Sequence, residues 1–527
     1  LEPAIAKLQK SLRSPAAQNA HGWRAKLAAL RSIPRFLQLA WQTHRRYALG
    51  TVAVRLLRAG VPLAILWIGK LIIDTVVAAR TGRPDLSRLW WLVTLELLIA
   101  AVGEALDKAS AAMEGLYGDL LSHHISEKLI THAATLDLYH FEDPAFYDQL
   151  ERAQRQTTGR IGLLPQILSI SQDSLTFFSL AAAVFLYSPW LLALLLVAVL
   201  PGFLGETHFS SLEYLLLYRM TPERRQLDYL RYLSASDKTA KEVQMFGLAG
   251  WLLARYRMIA RRFHEENRRL VVRKGIAATV LSIAGLLAYY AAYVVILKRG
   301  FYGVISIGAL TFLAASFLRS RIASERALMT AGNIYEQSLY LKDLFDFFKM
   351  QPSIVSAPEA LPVPSSINEL VFDRVGFRYP GSEQWAVRQV SFRIARGEKV
   401  ALVGENGAGK TTITKLLARL YDPTEGRILM DGVDLREYDL ESVRQNIGVI
   451  FQDFVHYDLR LDENIGIGEI RGVQEYLNDL AASSPDSYDK FSTNSAIMDA
   501  ARKSQADDLA RHLPFGYRQM LGRRFES

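Results

Sequence analysis

The chain has 527 residues, half of them hydrophobic and 22% charged, with a formal net charge of +9. That length allows three or four ordinary domains, and the composition excludes a chain disordered throughout. Cysteine is absent, which excludes a disulfide scaffold, thiolate zinc, iron–sulfur ligation and a cysteine nucleophile, while the basic surplus points to nucleic acid or to the cytoplasmic face of a membrane.

The chain opens at Leu1, as a trimmed or processed start would, and residues 1–46 lack the short apolar core of a signal peptide. Ile33–Tyr47 mixes Phe36, Leu37, Leu39 and Trp41 with Arg35, His44, Arg45 and Arg46, which predicts an amphipathic helix lying at a membrane surface. Two later runs are hard to place in water. Gly275–Leu297 holds 23 residues and Phe301–Leu318 holds 18, neither with a charge, against the roughly 20 apolar residues that span a bilayer. The break Lys298-Arg299-Gly300 makes them a hairpin. Ser188–Gly205 is a third uncharged run, and Leu49–Ala78, Leu89–Glu104 and Ile161–Tyr187 are weaker ones. Six spans are therefore expected. The charges in the weaker spans (Arg55, Arg58, Lys70, Asp74, Glu96, Glu104 and Asp173) should face the bundle interior, a wet cavity or an interface. Lys70 and Asp74, four residues apart, are expected to pair on one helix face.

Loop charge sets the orientation. From Arg219 to Lys274 there are 14 Lys/Arg against six Asp/Glu, so the side with the two long connections, about 111–160 and 206–274, is expected in the cytoplasm with both termini. The basic excess is then topological, and no nucleic-acid motif accompanies it. Both connections read as helical rods reaching on the order of 40 Å past the bilayer, each turning round at a short stretch: Leu138–Tyr147 and Ser234–Phe246. Tyr139, Phe141, Phe146, Met245 and Phe246 at these tips should dock on another domain. The ten histidines form no metal pattern, since His123 and His124 are adjacent and point to different faces.

Residues 351–366 carry four prolines within 13 positions and read as a linker. Strand-like stretches follow at Leu370–Phe372, Val375–Tyr379 and Ala386–Ile394, and Lys399–Val403 predicts a buried strand. It runs into Gly404-Glu405-Asn406-Gly407-Ala408-Gly409-Lys410-Thr411-Thr412, the G-x-x-x-x-G-K-T loop in its setting of strand, loop and helix. Glycines there let backbone N–H groups close around phosphates at a helix N-terminus; Lys410 reaches the β- and γ-phosphates and Thr411 is placed to ligand Mg²⁺.

The order of membrane bundle, linker and P-loop domain resembles a bacterial ATP-binding cassette (ABC) half-transporter of the exporter type, from about residue 30 onward. Phe377-Arg378-Tyr379-Pro380 is similar to the segment whose aromatic stacks on adenine, which implies that role for Tyr379. Ile447–Asp453 resembles the glutamine loop, which implies that Gln452 meets Mg²⁺ or the attacking water. Tyr421–Gly426 and Asp431-Gly432 match the strand and turn after the P-loop helix, and Asp462–Ile465 and Ile497–Gly522 resemble the helical subdomain. The signature sequence, catalytic glutamate and switch histidine of such proteins are expected beyond Ser527. The polar stretch 471–496 has no functional account.

These readings give an all-α six-helix transmembrane bundle with long cytosolic extensions, then an α/β P-loop domain. The expected division is an interfacial segment at 1–46, the membrane domain at 47–350, the linker at 351–366 and the nucleotide-binding domain at 367–527. The resemblance implies an ATPase exporter subunit using ATP and Mg²⁺, in a homodimer or heterodimer, in a bacterial-type inner or plasma membrane, for an unknown substrate. A nucleotide-binding regulator or channel without hydrolysis, or a weak half of a heterodimer, is the alternative; a soluble P-loop ATPase conflicts with Gly275–Leu318.

Overall fold

The computed structural model describes residues 31–82, 85–143, 146, 150, 162–187, 189–201, 205, 209, 220–452, 454–482 and 493–522. Two compact units divide the chain, one running to Leu136 and resuming from Asp143 to Gln351, the other joining Asp137–Glu142 to everything from Pro352.

The first unit is helical: α1 (Ile33–Thr43), α2 (Arg45–Thr81) and α3 (Leu86–Thr135) precede the short α4 (Leu138–Glu142) that belongs to the second unit. Then come α5 (Leu163–Tyr187), α6 (Pro189–Pro201), α7 (Thr221–Ala235), α8 (Asp237–Met245), α9 (Ala249–Phe301) and α10 (Ile307–Phe347). Among the described residues, α2, α3, α5 and α9 are long and apolar enough to cross a membrane. The other two expected spans fall on α6, which is apolar but shorter, and on the first part of α10. With 50 residues in α3 and 53 in α9, these rods are about 75 and 80 Å long, far more than the ~30 Å of a hydrocarbon core.

Three expectations change. The hairpin break lies at residues 302–306, because α9 continues through Lys298-Arg299-Gly300. The two cations sit in its last turn, where the helix dipole favours them. Gly303, at φ +71°, reverses the chain, and the Ser306 side chain caps α10 by accepting from Ala309 N. Next, α1 is amphipathic as expected, but its apolar face is covered by protein: Phe36, Leu39 and Ala40 are buried with Tyr117, Leu121 and Ile125 of α3 and Leu344 and Phe347 of α10. The Tyr117 hydroxyl donates to Ala40 O at 2.7 Å. Third, Lys70 and Asp74 do not pair. Lys70 Nζ donates to the Tyr187 hydroxyl at 2.6 Å and lies 4.6 Å from the Trp67 ring centre, while Asp74 accepts from Gly308 N at the start of α10. A capping carboxylate is favoured there because the first amides of a helix have no partner inside it. Arg55 and Arg58 meet Glu114 and Asp107 of α3, with Arg55 Nε 2.7 Å from its carboxylate.

In the second unit, β1 (Glu369–Phe377) and β2 (Val387–Ala395) pair antiparallel, and β3 (Glu425–Met430) and β4 (Val433–Asp434) extend the sheet in the order β2-β1-β3-β4. The helix α11 (Lys410–Leu417) lies between β2 and β3 in sequence, and α12 (Leu440–Gln445) to α16 (Ala506–His512) follow, with α13 at Leu461–Gly466, α14 at Ile470–Ala482 and α15 at Ser495–Lys503. The expected buried strand Lys399–Val403 is not in this sheet, and Val400, Leu402 and Val403 are exposed. A parallel strand needs hydrogen-bonded neighbours to be buried, and the described residues supply none for it.

The proline-rich segment is a strap held along its length. Asp137 accepts from Ser353 N and Oγ at 2.6 and 2.7 Å, and the buried Arg419 donates to Val355 O at 3.2 Å. Further along, Ser356 donates to Asp439 and Val363 N to Ser442.

Removing the cross-helix cap should matter more than removing the charge. Asp74→Ala is expected to destabilise the helical unit by about 1 kcal/mol, whereas Asp74→Asn keeps an acceptor and Lys70→Met leaves the cap in place. Thermal unfolding in detergent checks this; equal losses for all three variants would favour the Lys70–Asp74 pair instead.

Candidate nucleotide site

The site grows from one backbone manoeuvre. After residues 399–403 the chain turns at Gly407 (φ +85°) and Gly409 (φ +88°) and enters α11 at Lys410. Left-handed backbone costs any residue with a Cβ roughly 1–2 kcal/mol. At Gly409 a Cβ would also lie 2.7 Å from Ala386 O and collide with the Val387 side chain. No side chain caps α11, so the helix presents amides to an anion. Ala408 N closes the turn onto Glu405 O at 3.2 Å. Lys410 Nζ folds back on the loop, donating to Gly404 O at 2.8 Å and Glu405 O at 2.7 Å. Gly404, Glu405, Asn406, Gly407, Ala408 and Thr411 are exposed, while Thr412 is buried.

Tyr379 joins this group. Its hydroxyl lies 3.1 Å from Thr412 Oγ1, with Phe377 and Tyr421 edge-on at 4.9 and 5.4 Å between ring centres. Gln452 is exposed on a turn after residues 447–451. The structure brings the predicted loop and Tyr379 together.

Three residues that sequence reasoning passed over complete the surroundings. Glu142, from α4, accepts from Lys415 Nζ at 2.7 Å and from the Tyr421 hydroxyl at 2.5 Å, and Lys415 Nζ lies 5.4 Å from the Tyr379 ring centre. Leu138 and Tyr139 of α4 pack on the same core. Phe146, by contrast, is buried in the core of the first unit against Phe347. Burial pushes the Glu142 carboxyl up, but the bonds from Lys415 and Tyr421 and the Lys415 charge outweigh it and hold it below its ordinary value. Burial first, and then Glu142, push the Tyr421 phenol well above its ordinary value. Nothing in the sequence signals that Glu142 and Lys415, 273 positions apart, are partners.

Residues 387–522 match the ABC transporter family. Along 84% of its length the chain is 25% identical to the subtilin transport ATP-binding protein of Bacillus subtilis, of which it covers 72%. It is 24% identical to the nisin transport ATP-binding protein of Lactococcus lactis subsp. lactis, of which it covers 73%. An ATP-dependent lipid A-core flippase of Cupriavidus metallidurans is 29% identical over 57% of this chain and half of its own length. Among solved structures, a bacterial Atm1-family ABC exporter with ATP bound superposes over 91% of this chain and 80% of its own, with a TM-score of 0.68 and 22% identity. Residues 387–522 are an ABC transporter domain, and the chain shares the fold of an ABC exporter over most of its length. It is thus an ATP-binding, multi-pass membrane protein and a subunit of an ATP-driven exporter, with the ATPase activity of that family.

Two outcomes test the site of this half-transporter. Gly409→Ala should abolish ATP binding measured by equilibrium dialysis while circular dichroism retains the helical signal; ATP binding at wild-type strength would refute the tight turn. The Glu142 anchor has a lowered folded-state pKa, so it contributes fully above the ordinary value of 4.5 and is lost as pH falls below that. Acid unfolding should therefore begin at higher pH in Glu142→Gln, which lacks the anchor at every pH, than in the wild type, and identical acid profiles would show that the anchor does not count.

Proposed function

We propose that this half-transporter pairs with a second half, identical or related, and that Mg-ATP bound between two cassettes drives the membrane helices from inward- to outward-facing. The observation that carries this reading is the tight loop 404–412 opening α11, with Lys410 turned onto it. In this reading the domain limits are those of the sequence, with the cytoplasm on the side of the long rods and both termini, in a bacterial inner or plasma membrane.

Each residue has a distinct task. The amides of Gly404–Thr412 cradle the phosphates, Lys410 exchanges its two carbonyl partners for β- and γ-phosphate oxygens, and Tyr379 stacks on adenine. The exposed Thr411 hydroxyl and the Gln452 amide oxygen are hard oxygen donors of the kind Mg²⁺ takes, and so fit that ion. When bound, the ion neutralises phosphate charge. Gln452 orients the water for in-line attack, so catalysis is mainly positioning and electrostatics.

The cargo class we favour is an amphipathic peptide. The relatives named for subtilin and nisin transport match 84% of the chain, against 57% for the flippase. Stimulation of ATP turnover by an amphipathic cationic peptide, and not by lipid A, is the expected result; the reverse would reassign the cargo.

Two variants test the mechanism. Lys410→Ala should weaken Mg-ATP binding at least tenfold, by removing a cation from the phosphates. In the second tip, Met245 and Phe246 are 83% and 70% exposed and α8 has no buried residue, which suits a contact with the other half's cassette through a few apolar anchors. Phe246→Ala should leave ATP affinity unchanged but stop ATP from altering the accessibility of a label in α9. Normal switching in that variant would remove α8 from the transmission.

A further inference from the structure

The ring of Tyr379 is held by groups that are themselves held from elsewhere. Phe377 belongs to β1 and is buried by the sheet. The Tyr379 hydroxyl lies 3.1 Å from Thr412 Oγ1, and two further neighbours, Tyr421 and Lys415, share a partner. One oxygen of Glu142 accepts from Lys415 at 2.7 Å and the other from Tyr421 at 2.5 Å. The lysine ammonium lies 5.4 Å from the Tyr379 ring centre and 5.8 Å from that of Tyr421. A lysine has a flexible four-carbon stem and no preferred fork, so its position over a ring is set by whatever else it bonds. Here that is Glu142. The phosphate-binding end is held differently: Lys410 Nζ bonds carbonyls of its own loop, whereas Glu142 bonds Lys415 and Tyr421, both outside residues 404–412.

We propose that Glu142, in the turn between two membrane-spanning rods, is a positioning residue for the adenine end of the nucleotide site, setting affinity for the base without setting affinity for the phosphates. It acts by clamping Lys415 and Tyr421 so that the Tyr379 ring keeps the attitude needed for stacking. This rests on the reading that Tyr379 stacks on adenine. A carboxylate that bonds both neighbours at once restricts the ring from two sides, and a cation beside an aromatic face also polarises it toward a second ring. Loss of the clamp releases both neighbours together.

The experiment separates base from phosphate. Binding of Mg-ATP and of Mg-tripolyphosphate, which has no base, would be measured by calorimetry on the full chain in lipid nanodiscs. Variants are Glu142→Gln, Lys415→Met, Tyr379→Ala and the double variant Glu142→Gln with Tyr379→Ala. Glu142→Gln and Lys415→Met are expected to weaken ATP binding about three- to tenfold, the scale of a partly exposed cation–π contact and one ring's placement, with tripolyphosphate unchanged. In the Tyr379→Ala background, Glu142→Gln should add nothing. Equal weakening of both ligands, no weakening of either, or an additive loss in the double variant would each overturn the proposal. If Tyr379→Ala weakens ATP binding while Glu142→Gln is silent, the positioning role fails and stacking stands. If Tyr379→Ala leaves ATP affinity unchanged, the stacking assignment itself fails.

Discussion

A peptide group carried into hydrocarbon without a hydrogen-bond partner costs several kcal/mol, so a chain entering a bilayer must close its backbone bonds within each segment. Most features of the first unit follow from that constraint. Helices α3 and α9 run unbroken for 50 and 53 residues, because a break at membrane depth would orphan amides and carbonyls. Polar side chains or glycine serve several of the described reversals: Asp85 before α3, Ser236 before α8, and Gly303 with Ser306 before α10. Asp74 extends the same service across helices by accepting from Gly308. Charged side chains obey the companion rule, as Arg55 and Arg58 find Glu114 and Asp107 on the neighbouring helix.

Rods of this kind can carry information only at their tips, and the two tips differ. The first is built into the cassette unit through Leu138, Tyr139 and two carboxylates. The second presents Met245 and Phe246 to solvent. The first tip is thus satisfied within its own chain, while the second is left with apolar surface.

Legibility followed the range of the interactions. Four of the six expected spans and the long rods are readable because hydropathy and helical period are local, and the loop 404–412 because its glycines answer a backbone need within nine residues. The Lys70–Asp74 pairing was misread because spacing shows which groups share a face, not which partners from other helices arrive first; Tyr187 and Gly308 did. The strand 399–403 has the apolar run of a buried strand, but burial depends on neighbours that sequence pattern alone does not supply. Glu142 could not be found at all, since its meaning lies in two residues more than 270 positions away.

The strap at 352–364 has a mechanical consequence. Proline-rich connections usually act as semi-rigid spacers that leave two domains some independence. Here α10 ends at Phe347 and the first bond to Asp137 is made at Ser353, so at most about 20 Å of chain is free between them. Lengthening the connection elsewhere, between Val355 and Val363, would add no play, because that stretch is already fastened at Arg419, Asp439 and Ser442. A few glycines inserted between Met350 and Ser353 would instead lengthen the stretch that is free, and twist applied to one end would then dissipate before it reached the other.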